Sequence, residues 1–388
     1  MTRSFPDGFL WGASTAAHQI EGNNLNNDWW QLEQIAAGYI DASGDALDSY
    51  HRYEEDMRLL AESGLTTYRF SIEWARIEPL PGAFSRAELA HYRRMIDTAF
   101  GLGLTPIVTL HHFTHPIWFG ERGGWLAEDA TETFLRYVEQ ACTILGDVPY
   151  ICTINEPNVV AMNHGAARIM AAGNPYPSVP DPDPEFGEAL IAAHLKAAPL
   201  IRSLTGAQVG WTVANQAFTA TPGAEEKFNE VQHRWEDMYL EAARGDDYIG
   251  VQSYTSQPVD ENGVVPHPEH PDNTLMGWAY RPDALGAALR HTRDVVGDVP
   301  ILVTENGIAT PDDERRIAYT RDALSGLLDA IADGVDVRGY CHWSLLDNFE
   351  WGRWAPTFGL VAVDRKTFQR TPKPSLAWLG GVAHVNAL

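Results

Sequence analysis

The chain has 388 residues, 45% apolar and 21% charged, a balance that allows a large buried core and rules out disordered, collagen-like and coiled-coil architectures. Its 28 basic and 52 acidic side chains give a formal net charge of −24, which sets phosphate backbones and anionic lipid surfaces aside as partners. At about 150 residues per domain the length reads as two or three domains, whereas an eight-fold strand–helix barrel of 250 to beyond 400 residues forms one unit.

The first residues, MTRSFPDGFLWG, carry neither the apolar segment nor the small-residue cleavage site of a signal peptide. No run reaches the ~18 apolar residues that a membrane span needs, so a soluble, cytoplasmic protein is expected. Eight short apolar, β-branched or aromatic runs then follow: Phe9–Ala16, Thr67–Ile72, Pro106–His111, Tyr150–Ile154, Val209–Val213, Tyr248–Tyr254, Ile301–Thr304 and Val337–Trp343. Runs of this kind suit strands buried on both faces, as in a parallel sheet.

Helical patterns lie between them. Tyr50 to Ser63 places Tyr53, Met57 and Leu60 on one face and stops at Gly64, a favoured helix-ending residue. Ser85 and Glu88 read as a capping box ahead of Leu89, Tyr92, Ile96 and Ala99. Ile317 to Asp333 repeats the helical spacing with Leu324, Leu327, Leu328 and Ile331. The proline-dense stretch Asn174 to Pro184 reads as a loop after the fourth strand. Eight strand–helix units predict a closed (β/α)8 barrel, an α/β fold, with residues 1–388 as one catalytic domain. An open doubly wound sheet is disfavoured, because no GxGxxG follows the first strand.

Catalytic groups of such barrels sit at the C-terminal strand ends. There the chain places Arg69 on strand two, His111 and His112 after strand three, and Asn155-Glu156-Pro157 after strand four. Tyr254 ends strand six, Glu305-Asn306-Gly307 strand seven, and Trp343 opens an acidic-aromatic stretch to Trp351. Two carboxylates from different strands, framed by Arg, Asn, Tyr and Trp, suit glycoside hydrolysis. Sugar rings pack apolar C–H faces on aromatic surfaces and need paired donors and acceptors at their rims.

These motifs identify a resemblance to family 1 glycoside hydrolases, the β-glucosidase-type family. The matching blocks are FLWGASTAAHQIEG, YRFSIEWARIEP, TLHHFTHPIWF, TINEP, VTENG and WSLLDNFEWG, in family order along nearly the whole chain. The resemblance implies Glu156 as general acid/base and Glu305 as nucleophile of a retaining, exo-acting β-glycosidase, most simply a β-glucosidase. It implies support from Arg69, Asn155 and Tyr254. Sugar binding would fall to Gln19, His112, Trp343, Glu350 and Trp351. Glu350 would accept bonds from free 4- and 6-hydroxyls and repel a 6-phosphate. No cofactor is implied, since two carboxylates and water suffice.

Other readings lead elsewhere. A β-galactosidase, a β-fucosidase or a broad β-glycosidase would use the same residues, and a catalytically lapsed sugar-binding barrel would lack one of the two glutamates. His111, His112 and His115 form an HHxxH cluster, but Pro116 follows and no helix is expected there to hold a metal. Cys142, Cys152 and Cys341 are far apart and read as buried, unpaired residues.

The sequence also departs from the family pattern. Gln252 and Ser253 replace Asn and Tyr on strand six, Phe113 replaces a Trp, and Thr357 replaces an Arg. The stretches after strand four and between strands five and six are short, which predicts a wide, open leaving-group region with loose selectivity. The substrate expected is a small β-glycoside; the oligomeric state is left open.

Overall fold

The structure, a computed structural model, describes residues 3–171 and 179–388. Eight parallel strands close into a barrel in strict chain order, each hydrogen-bonded to its sequence neighbours and the last to the first. They are β1 (Leu10–Ser14), β2 (Thr67–Ser71), β3 (Thr105–His111) and β4 (Tyr150–Asn155). The circuit continues through β5 (Gln208–Ala214), β6 (Ile249–Gln252), β7 (Ile301–Asn306) and β8 (Val337–Trp343). All eight expected runs form strands. The main difference is at β6, which stops at Gln252 and leaves Tyr254 beyond the strand end.

Strands buried on both faces need apolar or small residues throughout, and every residue of β2, β6 and β7 is buried. Where strands approach most closely, only glycine fits. A Cβ on Gly12 would lie 2.2 Å from the Thr67 carbonyl oxygen, at the Gly12–Thr67 pairing of β1 and β2.

The strand ends are bent. β4 slips register against β5 between Cys152 and Asn155, and β7 slips against β6 between Val303 and Glu305. A bulge turns the side chains that follow it, so these two slips re-aim Asn155 and Glu305 toward the barrel mouth.

The helices follow their expected positions with two corrections. Ser49–Glu62 ends before Gly64, which adopts φ +96°. Arg86–Gly101 is capped by Ser85, whose hydroxyl accepts from the Glu88 amide at 3.2 Å. The reciprocal half of the capping box is absent: the Ser85 amide bonds the Ile77 carbonyl, and the Glu88 carboxylate accepts from the Tyr50 hydroxyl at 2.9 Å. Ser85→Ala is therefore expected to cost about 1 kcal/mol, read as a lower urea midpoint at unchanged slope.

The helix expected from Ile317 starts earlier, at Asp313, and runs to Ala332. Asp312 accepts from the Glu314 and Arg315 amides and so fixes that start. The proline-dense stretch expected as a loop lies partly outside the described residues. Its end is fixed by Asp183, which caps the helix Pro184–Leu204. The three cysteines are buried and free.

Candidate active site

At the C-terminal mouth of the barrel lies a cavity of about 340 Å³ whose walls include His112, Glu156, Tyr254, Glu305, Trp343, Glu350 and Trp351. Gln19, Arg69 and Asn155 stand behind these, each fully buried. All ten residues singled out in the sequence are thus brought to one place.

Glu305, on β7, is held at both oxygens. Arg69 on β2 donates to Oε1 at 2.5 Å, and the Tyr254 hydroxyl donates to Oε2 at 2.6 Å. Tyr254 reaches this position although it lies past its strand, because the Tyr319 hydroxyl bonds its carbonyl at 2.7 Å. Burial pushes the Glu305 carboxyl up, while the Arg69 cation and the Tyr254 bond pull it back toward the ionised form.

Glu156 occupies the same cavity in a different environment. No donor among the described residues reaches its carboxyl oxygens. Burial pushes it well above the ordinary carboxylate range, and the Glu305 charge pushes it further. Its backbone is in the left-handed region at φ 44°, as are Phe113 (φ 68°) and Trp351 (φ 45°), which also line the cavity. Backbone strain of this kind concentrates at functional sites.

Asn155 is fixed before any ligand arrives. Its Oδ1 accepts from Arg69 (2.5 Å), Thr212 (3.0 Å) and Gln252 (3.1 Å). Its amide nitrogen faces His112 Nε2 at 3.3 Å, so that ring nitrogen accepts and the proton sits on Nδ1. Burial, Arg69 and His111 together hold His112 well below its ordinary pKa, hence neutral. The network has also absorbed the change on β6, since Gln252 bridges Asn155 and Thr304. Thr212 was not singled out in the sequence, where Gln252 stood only as a departure from the family pattern; their convergence on Asn155 is seen only in three dimensions.

On the opposite side, Glu350 accepts from Trp343 Nε1 at 3.1 Å and from Gln19 Nε2 at 3.3 Å. Burial pushes its carboxyl up to about 8, against those two bonds. Among the buried polar atoms here with no protein partner are Gln19 Oε1, an acceptor, and His112 Nδ1, a donor. A buried polar atom left unpaired is costly, so both are suited to a ligand rich in hydroxyls.

Among the described residues, no group of three His, Cys, Asp or Glu is placed to hold a metal. His111, from the HHxxH cluster, packs edge-on against Trp125 at 5.2 Å, and burial holds it neutral, near pKa 3.

The mouth above this polar floor is apolar. Met162, Phe218, Trp235 and Val264 form one wall, with Met276, Trp278 and Phe358 on another. None of these was singled out in the sequence.

Comparison with known proteins agrees with this geometry. The family model described as Glycosyl hydrolase family 1 matches residues 1–243 and 243–388. The chain is similar to a thermostable β-glucosidase B of Thermobispora bispora, 34% identical over 443 aligned positions covering 99% of this chain and 92% of the relative. It is 30% identical to a bifunctional β-D-glucosidase/β-D-fucosidase of Bifidobacterium breve, over 97% of this chain and 98% of that one. Both alignments are longer than the chain itself, so the relatives carry insertions that this chain lacks. Among solved structures, a β-glycosidase from Pyrococcus horikoshii superposes with a TM-score of 0.90 at 33% identity, covering 100% of this chain and 96% of that one. A second β-glycosidase crystal structure reaches a TM-score of 0.89 at 43% identity, covering 99% and 98%. The chain is a glycoside hydrolase and belongs to glycosyl hydrolase family 1.

Proposed function

We propose that the chain is a retaining, exo-acting β-glycosidase of β-glucosidase type, with residues 1–388 working as one catalytic barrel. It releases the non-reducing terminal β-D-glycosyl residue of small glycosides through a covalent glycosyl-enzyme. The observation that carries this reading is the asymmetry of two carboxyls in one cavity. Glu305 is clamped by a cation and a phenol, whereas Glu156 is buried without a donor.

Glu305 is the nucleophile. Arg69 and Tyr254 favour its ionised form and aim it at the anomeric carbon. Glu156 is the acid/base: it gives its proton to the departing glycosidic oxygen as Glu305 forms the bond to C1. In the second half-reaction Glu156 takes a proton from water, whose oxygen replaces Glu305 at C1. Attack twice on the same carbon restores the β configuration. Nuclear magnetic resonance of the first-formed product is expected to show the β-anomer; an initial α-anomer would overturn the two-step reading.

The sugar is held by Gln19, His112 and Glu350 at its hydroxyls, with Trp343 and Trp351 supplying apolar surface. With its Oδ1 occupied by three donors, Asn155 offers its amide N–H to the 2-hydroxyl, a contact that strengthens in the transition state. A β-galactosidase or β-fucosidase preference is the second reading, favoured by the Glu350–Gln19 pair, which faces the 4- and 6-positions where these sugars differ. The kcat/KM values on nitrophenyl β-glucoside, β-galactoside and β-fucoside decide between them.

The pH profile follows from the two carboxyls. Glycosylation needs Glu156 protonated, so its rate falls as pH rises through the Glu156 pKa. It needs Glu305 ionised, so it falls as pH drops through the Glu305 pKa. Both groups are pushed up by burial, and the bell in kcat/KM is expected to lie above the ordinary carboxylate range of about 4. Glu156→Gln, measured on a dinitrophenyl glucoside whose departure needs no acid, should keep the acid limb set by Glu305 and lack the alkaline limb that the wild type shows on alkyl glucosides. The −24 charge supports an enzyme acting without nucleic-acid or anionic-membrane partners. Among the described residues, no helix is long and apolar enough to cross a membrane.

A further inference from the structure

Beyond Glu156 the cavity changes character. On the path a departing group must take, the helix Pro157–Ala171 presents Met162 to the opening. Phe218 follows from the end of β5 and meets Trp235 edge-on at 6.0 Å. Trp235 lies in a π-helical turn, His233–Asp237, inserted in the helical segment that runs from Glu225 to Ala242. That turn leaves the Trp235 carbonyl free to accept from the Asn158 amide at 2.8 Å, which ties the indole to the segment carrying Glu156. On the facing wall Trp278 packs against Tyr254 at 5.7 Å and against Phe358 at 6.4 Å.

Polar groups on these walls are few. Among the described residues that line this half, Trp235 and Trp278 offer indole N–H donors, the former bonded to Asp181 at 3.4 Å, and the other side-chain hydrogen-bonding groups beyond Glu156 are the amides of Gln216 and Gln257. They are neighbours, because the Gln257 backbone amide bonds the Gln216 carbonyl at 3.0 Å. The Gln257 Oε1 is buried with no partner.

We propose that this half of the cavity is a slot for a flat aromatic aglycone carrying a hydroxyl at its far edge, so that the substrates are β-glycosides of aromatic alcohols and phenols rather than disaccharides. The proposal rests on the β-glycosidase reading above and names the leaving group of that reaction. A second sugar presents hydroxyls around its whole rim, and most would lose water here without gaining a partner. An aromatic ring leaves no such groups unpaired and covers Phe218, Trp235 and Trp278 with its faces and edges. One hydroxyl at its far edge would meet the open acceptor of Gln257. The short loops expected to give loose selectivity thus leave a mouth that discriminates by polarity.

The test compares 2-phenylethyl β-D-glucoside with cellobiose, since both release an aliphatic alcohol and neither gains from an activated leaving group. The expected kcat/KM favours the phenylethyl compound by about tenfold or more. Met162→Gln is expected to narrow that ratio several-fold. Val264→Thr, a near-isosteric change on the same wall, gives the same readout if the first variant folds poorly. Adding a para-hydroxyl to the phenylethyl group should raise kcat/KM a few-fold in the wild type and not in Gln257→Leu. Equal or better turnover of cellobiose by the wild type would overturn the proposal while leaving the glycosidase intact. Loss of turnover on both substrates and on nitrophenyl β-glycosides would instead overturn the glycosidase reading on which it rests.

Discussion

Glu305→Ala is expected to lower turnover of every β-glycoside by on the order of 10⁵ or more, whatever the leaving group, because no other carboxylate is held at the anomeric carbon. Glu156→Ala should behave differently. On alkyl glucosides, whose oxygen must be protonated to depart, a loss of about 10²–10⁴ is expected. On dinitrophenyl glucosides the first step is spared, and a glycosyl-enzyme should accumulate because water lacks its base. Mass spectrometry of the quenched Glu156→Ala protein would show that adduct on Glu305. Equal losses on both substrate classes for both variants would remove the assignment of roles.

The second large effect has two opposite signs in one variant. Glu350 is buried, and its carboxyl is pushed up to about 8. With the folded value above the unfolded one, its contribution to stability is complete below about pH 4.5 and is lost as pH rises toward 8. The shift corresponds to a cost of up to about 5 kcal/mol once both states are ionised. Glu350→Gln keeps the shape and an acceptor for Trp343 and Gln19 but has no charge to bury. It is expected to melt a few degrees above the wild type at pH 8, with the gain vanishing near pH 4.5. The same variant should lose about 10²–10³ in kcat/KM for glucosides at pH 8 and above, where the wild-type carboxylate is ionised and its bonds to the sugar hydroxyls are charge-assisted. A calorimetric scan and a rate at each pH read both effects. Falling stability together with falling activity would mean that Glu350 is a structural group.

Sequence reading reaches the barrel because its signal is local. Runs such as Ile301–Thr304 contain little but apolar and β-branched residues, and each lies in a buried strand. It reaches the charged floor because Glu156 and Glu305 sit in compact motifs beside strand ends. It is weaker where geometry depends on distant partners. The two- and three-residue strands Thr219–Ala220 and Gly263–Val264 are too short for any periodicity to show. Ser85 and Glu88 have the spacing of a capping box, yet Tyr50, 38 residues away, engages the glutamate. The apolar slot is invisible for the same reason. Met162, Phe218, Trp235 and Met276 come from four separate segments, and each alone reads as an ordinary core residue.

The left-handed backbones of Phe113, Glu156 and Trp351, three of the nine non-glycine residues with positive φ among those described, place stored strain at the rim of the cavity. Each such residue holds on the order of 1–3 kcal/mol, and the closed ring of β1 to β8 is what keeps it from relaxing. Glycine at these positions would relax the chain and, with it, the placement of the side chains at the cavity rim. Added robustness is therefore best sought in the helices that face solvent, far from the mouth. There a tighter scaffold would add stability without relaxing the strained rim.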